Sequence, residues 1–153
     1  MFNVKVDYPS EQEEFRIIET TTQRNRPTID RVVNADELLA MQAVVLQVPA
    51  AEHVIKYAMR LTRKTRPDAD DAPDFVRNYV TWGAGPRASQ FLVLAGKARA
   101  LLYGRPYVAT EDVRAVAAPV LRHRLITNFN AEADGVKPDD IVRRLIEGTP
   151  VER

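Results

Sequence analysis

The longest helical repeat in the chain lies between Pro86 and Gly104, where Phe91, Leu92, Leu94, Ala95, Ala98, Leu101 and Leu102 recur at helical spacing. A proline suits the first helical position because its missing N–H has no helical partner there, and a glycine suits the end. The alanines permit close packing. At 153 residues, 45% hydrophobic and 28% charged, the chain can build one core but hardly two.

The remaining segments read the same way. Asn34 with Glu37 forms a capping box before Leu38, Met41, Val44 and Val45, and Pro49 ends that helix. A further helix is expected from about Ala51 to Arg66, with Val54, Ala58 and Leu61 on one side. Phe75, Val76, Tyr79 and Val80 suggest a short helix, broken by Trp82-Gly83-Ala84-Gly85-Pro86. Thr110 is expected to cap a helix towards Arg124, kinked at Pro119, and Pro138 to open a last one containing Ile141, Val142, Leu145 and Ile146. Residues 125–137 read as irregular. At the other end, Phe2, Val4 and Val6 alternate with polar residues as one short strand would. Ser10 and Glu13 then box a helix with Phe15, Ile17 and Ile18 for apolar contacts, before an aperiodic stretch. The fold class expected is all-α, a compact helical bundle preceded by a lone β-strand and a short helix.

Composition excludes several chemistries. With no cysteine there is no disulfide, thiolate metal site or thiol nucleophile. His53 and His123 lack metal-ligand spacing, and the acidic stretch Asp68 to Asp74 lacks the glycine and final glutamate of a calcium loop, so no metal site is expected. Neither GxxxxGK[ST] nor GxGxxG occurs among the six glycines, so the chain has no phosphate cradle of its own. No window approaches 18 apolar residues, and the first residues show no basic tip with an apolar run behind it. The basic run from Lys56 to Arg66 is met at once by Asp68, Asp70, Asp71 and Asp74, and nucleic-acid binding is not expected.

Arg87 is the oddity. It sits in the first turn of the long helix, where a cation meets the positive end of the helix dipole. Either an anion shares that place with the free amides of the turn, or the side chain lies over Trp82 or pairs with Asp74.

An ordered series of segments then resembles the C-terminal part of MoxR-type AAA+ ATPases. It comprises Val6-Asp7-Tyr8-Pro9-Ser10 with Glu13 and Glu14, Thr65-Arg66, Gly83-Ala84-Gly85-Pro86-Arg87-Ala88, Ala98-Arg99-Ala100, Gly104-Arg105 with Tyr107-Val108, Glu111-Asp112-Val113, and Val120 to Arg124. The resemblance covers nearly the whole chain. It implies a helical lid in which Arg87 takes the place of the GASPRA arginine, the second sensor that reaches the γ-phosphate of ATP. Gly83, Ala84, Gly85 and Pro86 would shape its approach, with Gly85 in place of the usual serine.

By the same resemblance, residues 1–24 are a remnant of the αβα ATPase core, residues 25–33 a linker and residues 34–153 the lid. The Walker motifs would precede Met1. ATP and magnesium would belong to the parent protein, and this stretch alone would require no cofactor and be inactive. Implied partners are its own ATPase core, neighbouring subunits of a homo-oligomeric ring and an unidentified client protein, in the cytoplasm, for ATP-driven remodelling or maturation. The alternative from the residues alone is a helical protein-interaction module that works without nucleotide.

Overall fold

The computed structural model describes residues 1–24 and 28–151. Its helices are α1 (Glu11–Thr21), α2 (Ala35–Gln47), α3 (Glu52–Arg63), α4 (Asp74–Tyr79), α5 (Pro86–Leu102), α6 (Thr110–Leu121), α7 (Phe129–Ala133) and α8 (Pro138–Glu147). Two short strands, β1 (Val80–Trp82) and β2 (Ile126–Thr127), pair antiparallel. The all-α bundle is therefore the architecture that forms, with one small ladder added.

Small residues let α5 occupy its centre. Ala88, Leu92, Ala95, Gly96 and Ala100 are its buried positions, whereas Leu102 is 86% exposed. The same buried cluster takes side chains from α3 (Val54, Tyr57, Leu61), α6 (Val113, Val120, Leu121) and α8 (Ile141, Leu145), with α8 packing on α6. Gly96 marks the closest approach, because a Cβ there would stand 2.9 Å from Val108 Cγ2. Inside this core the Tyr57 hydroxyl is buried without a hydrogen-bond partner among the described residues.

The turn after α5 is a Schellman motif. Gly104 adopts φ 69°, its N–H donates to Leu101 O at 2.9 Å, and Arg105 N–H donates to Ala100 O at 2.9 Å. This turn aims Arg105 at Asp112, which is fully buried. Asp112 accepts from Arg105 Nη1 at 2.8 Å and Nη2 at 2.5 Å, from Arg99 Nη1 at 2.6 Å and from the Ala109 N–H at 2.9 Å. Burial pushes its carboxyl up, yet the bonds from Arg105, Ala109 and Arg99 together hold it down at about 2.

Several expectations need correction. No strand forms over Phe2–Val6, because no strand edge lies beside it among the described residues; Asn3 N–H donates instead to Pro119 O, at 2.8 Å. The sheet lies elsewhere, in segments read as a helix end and as irregular chain, and α7 also falls within the stretch 125–137. These elements are too short to show a period. Ala109, not Thr110, is the N-cap of α6, with Asp112 supplying the capping carboxylate three residues on. That helix continues through Pro119 and stops at Leu121. α1 and α2 have their capping boxes but no buried residue, so Phe15, Ile17 and Ile18 stand exposed. Asn25, Arg26 and Pro27 of the expected linker lie outside the described residues; residues 28–33 hold neither helix nor strand.

Replacing Asp112 by Asn leaves two guanidiniums without their counter-charge and is expected to cost about 3–5 kcal/mol in denaturant unfolding. Because the folded carboxyl lies at about 2, below its ordinary 3.8, its contribution is present above pH 4 and is lost as pH falls through 2. That contribution is about 2 kcal/mol and should vanish from the acid limb of the stability curve in the Asn variant.

Candidate functional site

The loop Gly83 to Pro86 reaches α5 across the end of α3, and two consecutive residues hold it. Thr65 is buried, accepts the Ala84 N–H on its hydroxyl at 2.8 Å and donates that hydroxyl to Thr62 O at 2.6 Å. Arg66 donates through Nε to Ala84 O at 3.0 Å. Ala84 thus has both backbone groups satisfied, as a 1% exposed residue requires. Gly83 lies flat on the same strut: a Cβ there would stand 2.6 Å from the Thr65 carbonyl carbon and 2.7 Å from Arg66 Cα.

Gly85 is the N-cap of α5 and offers no side-chain acceptor, and Pro86 occupies the first turn. Gly85 has φ −80°, and a Cβ at this position would meet nothing within 4 Å, so neither backbone conformation nor space requires glycine there. Arg87 follows, exposed, and makes no hydrogen bond or ion pair among the described residues. It engages neither Trp82 nor Asp74. Beside the loop a groove of about 340 Å³ is lined by Arg63, Pro67, Asp68, Trp82 and Gly85, with Trp82 69% exposed.

Comparisons with known proteins place the chain as a whole. Residues 73–145 match the AAA lid domain family. Chaperone MoxR1 of Mycobacterium tuberculosis is 31% identical over 147 residues, covering 96% of this chain and 39% of that protein. Protein MoxR of Methylorubrum extorquens is 37% identical over 73 residues, covering 46% of this chain and 21% of its own. The structure of a candidate ATPase from Cytophaga hutchinsonii superposes with a TM-score of 0.88 at 26% identity, over 100% of this chain and 47% of that one. The chain corresponds to the lid-bearing C-terminal portion of a MoxR-type AAA+ ATPase. It spans less than half the length of the MoxR relatives and of the solved ATPase.

Within this MoxR lid the other prominent arginines are engaged. Arg99 and Arg105 hold Asp112, Arg122 Nε donates to Asp139 at 2.9 Å, and Arg77 donates to the carbonyls of Ala69, Asp70 and Ala72. Arg124 bonds Val120 O and Met1 O and lies over the Phe91 ring. Burial, and after it the charge of Arg87, push Arg124 below its ordinary value; burial and Arg124 likewise push His123 down. The structure places Gly83 to Gly85 in the loop and Pro86 and Arg87 in the first turn of α5; sequence reasoning assigned Thr65 and Arg66 no role in holding that loop. Their only signal was membership of the MoxR-like series, since a contact 19 residues along the chain has no local period.

Among the described residues, no group of three or more histidine or carboxylate side chains is placed to hold a metal, and no helix is long and apolar enough to cross a membrane.

Gly83→Ala drives its Cβ into backbone that cannot move aside and is expected to cost about 1–3 kcal/mol by denaturant unfolding. Gly85→Ser, which restores a capping hydroxyl into open space, is expected to be neutral or stabilising by up to about 0.5 kcal/mol in the same measurement.

Proposed function

We propose that this chain works as the lid of a MoxR-type AAA+ ATPase and that Arg87 is its phosphate-sensing residue. The observation that carries this reading is the place of Arg87: it stands exposed, with no hydrogen bond or ion pair among the described residues, at the uncapped start of a 17-residue helix and directly after the loop that Thr65 and Arg66 hold. A cation at the positive end of a helix is a poor arrangement alone and a good one next to a polyphosphate. The residues fit one edge of an ATP site. They do not supply a whole one, because no glycine cradle exists in this sequence.

In this reading, Gly83, Ala84, Gly85 and Pro86 fix where Arg87 emerges, and Thr65 and Arg66 fix the loop. Bound ATP with magnesium supplies the phosphoanhydride to be cleaved. The Arg87 guanidinium neutralises charge gathering on the transferring phosphoryl group, and its engagement couples nucleotide state to lid angle. The exposed Phe15, Ile17 and Ile18 of α1 support placing residues 1–24 with the αβα core, and the exposed Leu38, Leu39 and Met41 of α2 support contact with the core or a neighbouring ring subunit. Residues 34–153 then form the lid. The work performed is remodelling or maturation of a client protein in the cytoplasm.

In the intact protein, Arg87→Ala is expected to lower ATP turnover about tenfold or more. Its unfolding free energy should change by no more than about 0.5 kcal/mol, since the side chain is exposed and unbonded. Unchanged turnover removes the sensing role. The 153-residue chain by itself is expected to release no phosphate from ATP above the buffer rate, and clean turnover by it defeats the lid assignment of the chemistry.

A further inference from the structure

The carbonyls at the end of α6 are all accounted for, and two of them have partners from outside the helix backbone. Ala118 O accepts the Arg122 N–H at 3.0 Å and Leu121 O the Arg124 N–H at 2.8 Å. Pro119 O accepts the Asn3 N–H at 2.8 Å, and Val120 O accepts the Arg124 guanidinium. That guanidinium also donates to Met1 O at 3.3 Å, and Arg122 donates to Asn3 O at 3.2 Å while its Nε stays on Asp139. Met1 O, Asn3 N–H and Asn3 O belong to alternate residues, which share one edge when a chain is extended. The end of α6 therefore does for residues 1–3 what a neighbouring strand edge would do.

Arg124 also faces the other way. Its guanidinium carbon lies 5.2 Å from the centroid of the Phe91 ring on α5. Phe91 is four residues after Arg87, hence on the same face of that helix. Like charge makes itself felt between the two arginines, since Arg87 adds to burial in pushing Arg124 below its ordinary value.

We propose that Arg124 is a positioning residue for Arg87, a joint tying residues 1–3 and the end of α6 to the face of α5 that carries Arg87. The proposal rests on the phosphate-sensing reading of Arg87. The guanidinium lies over Phe91 while its Nη1 donates to both Val120 and Met1, and a lysine ammonium has no planar, delocalised face to offer that ring. Displacement of residues 1–3 is then passed to the Phe91 face, and so to the direction in which Arg87 projects.

The test is a double-mutant cycle in the intact ATPase, with kcat and KM for ATP measured for Arg87→Ala, Arg124→Gln, Arg124→Lys and both doubles, and thermal unfolding followed on each preparation. Arg124→Gln is expected to lower kcat about threefold or more when Arg87 is present, and by less than about 1.5-fold in the Arg87→Ala background. Arg124→Lys keeps the charge without the planar guanidinium, preserves folding, and shows the same dependence on Arg87. Equal factors in the two backgrounds, or wild-type kcat in both Arg124 variants, overturn the joint while the sensing role of Arg87 stands. A normal kcat in Arg87→Ala overturns the sensing role itself, and the joint with it.

Discussion

Asp112 is a carboxylate with no exposed surface, and three separate pieces of chain are committed to keeping it charged. Arg99 comes from the last turns of α5, Arg105 from the Schellman turn, and the Ala109 N–H from the start of α6. Burying a lone carboxylate is prohibitive, so these groups must converge or the carboxyl must take up a proton. The convergence fixes how α6 leaves α5, and that angle in turn sets the groove into which α3 and α8 pack.

A second, smaller device does the same for the loop before α5. Thr65 and Arg66 grip both backbone groups of Ala84, and Gly83 is pressed against their backbone with no room for a side chain. The start of α5 is thereby located from the end of α3 and not from its own cap, so a glycine with no capping side chain suffices at position 85. The loop is rigid where it is held and open where Arg87 emerges.

The arginines divide by what the fold asks of them. Arg66 and Arg77 bond loop carbonyls, Arg99 and Arg105 balance a buried charge, and Arg122 and Arg124 close the end of α6 and reach the first residues. Composition alone could not separate these roles, since an arginine bias says nothing about which side chains have carboxylates or carbonyls within reach. Arg87 has no such partner among the described residues, and neither have Arg63 and Arg114; what distinguishes Arg87 is its place in the first turn of α5, beside the held loop.

Local chemistry by itself determined the long helices: the capping boxes at Ser10 and Asn34, Pro86 at the start of α5, Gly104 at its end and the apolar repeat of α8 are all relations within a few residues. It also placed the helix break at Gly83 to Gly85, because that signal is contiguous. Tertiary structure alone decided the β1–β2 pairing, the five-residue α7, the failure of residues 2–6 to form a strand and the exposure of α1. Each of these depends on whether a distant segment supplies a hydrogen-bonding edge or an apolar face. A helix satisfies its own backbone and so can be read from its own residues, whereas a strand, a clamp or an unpaired arginine is defined by its neighbours in space.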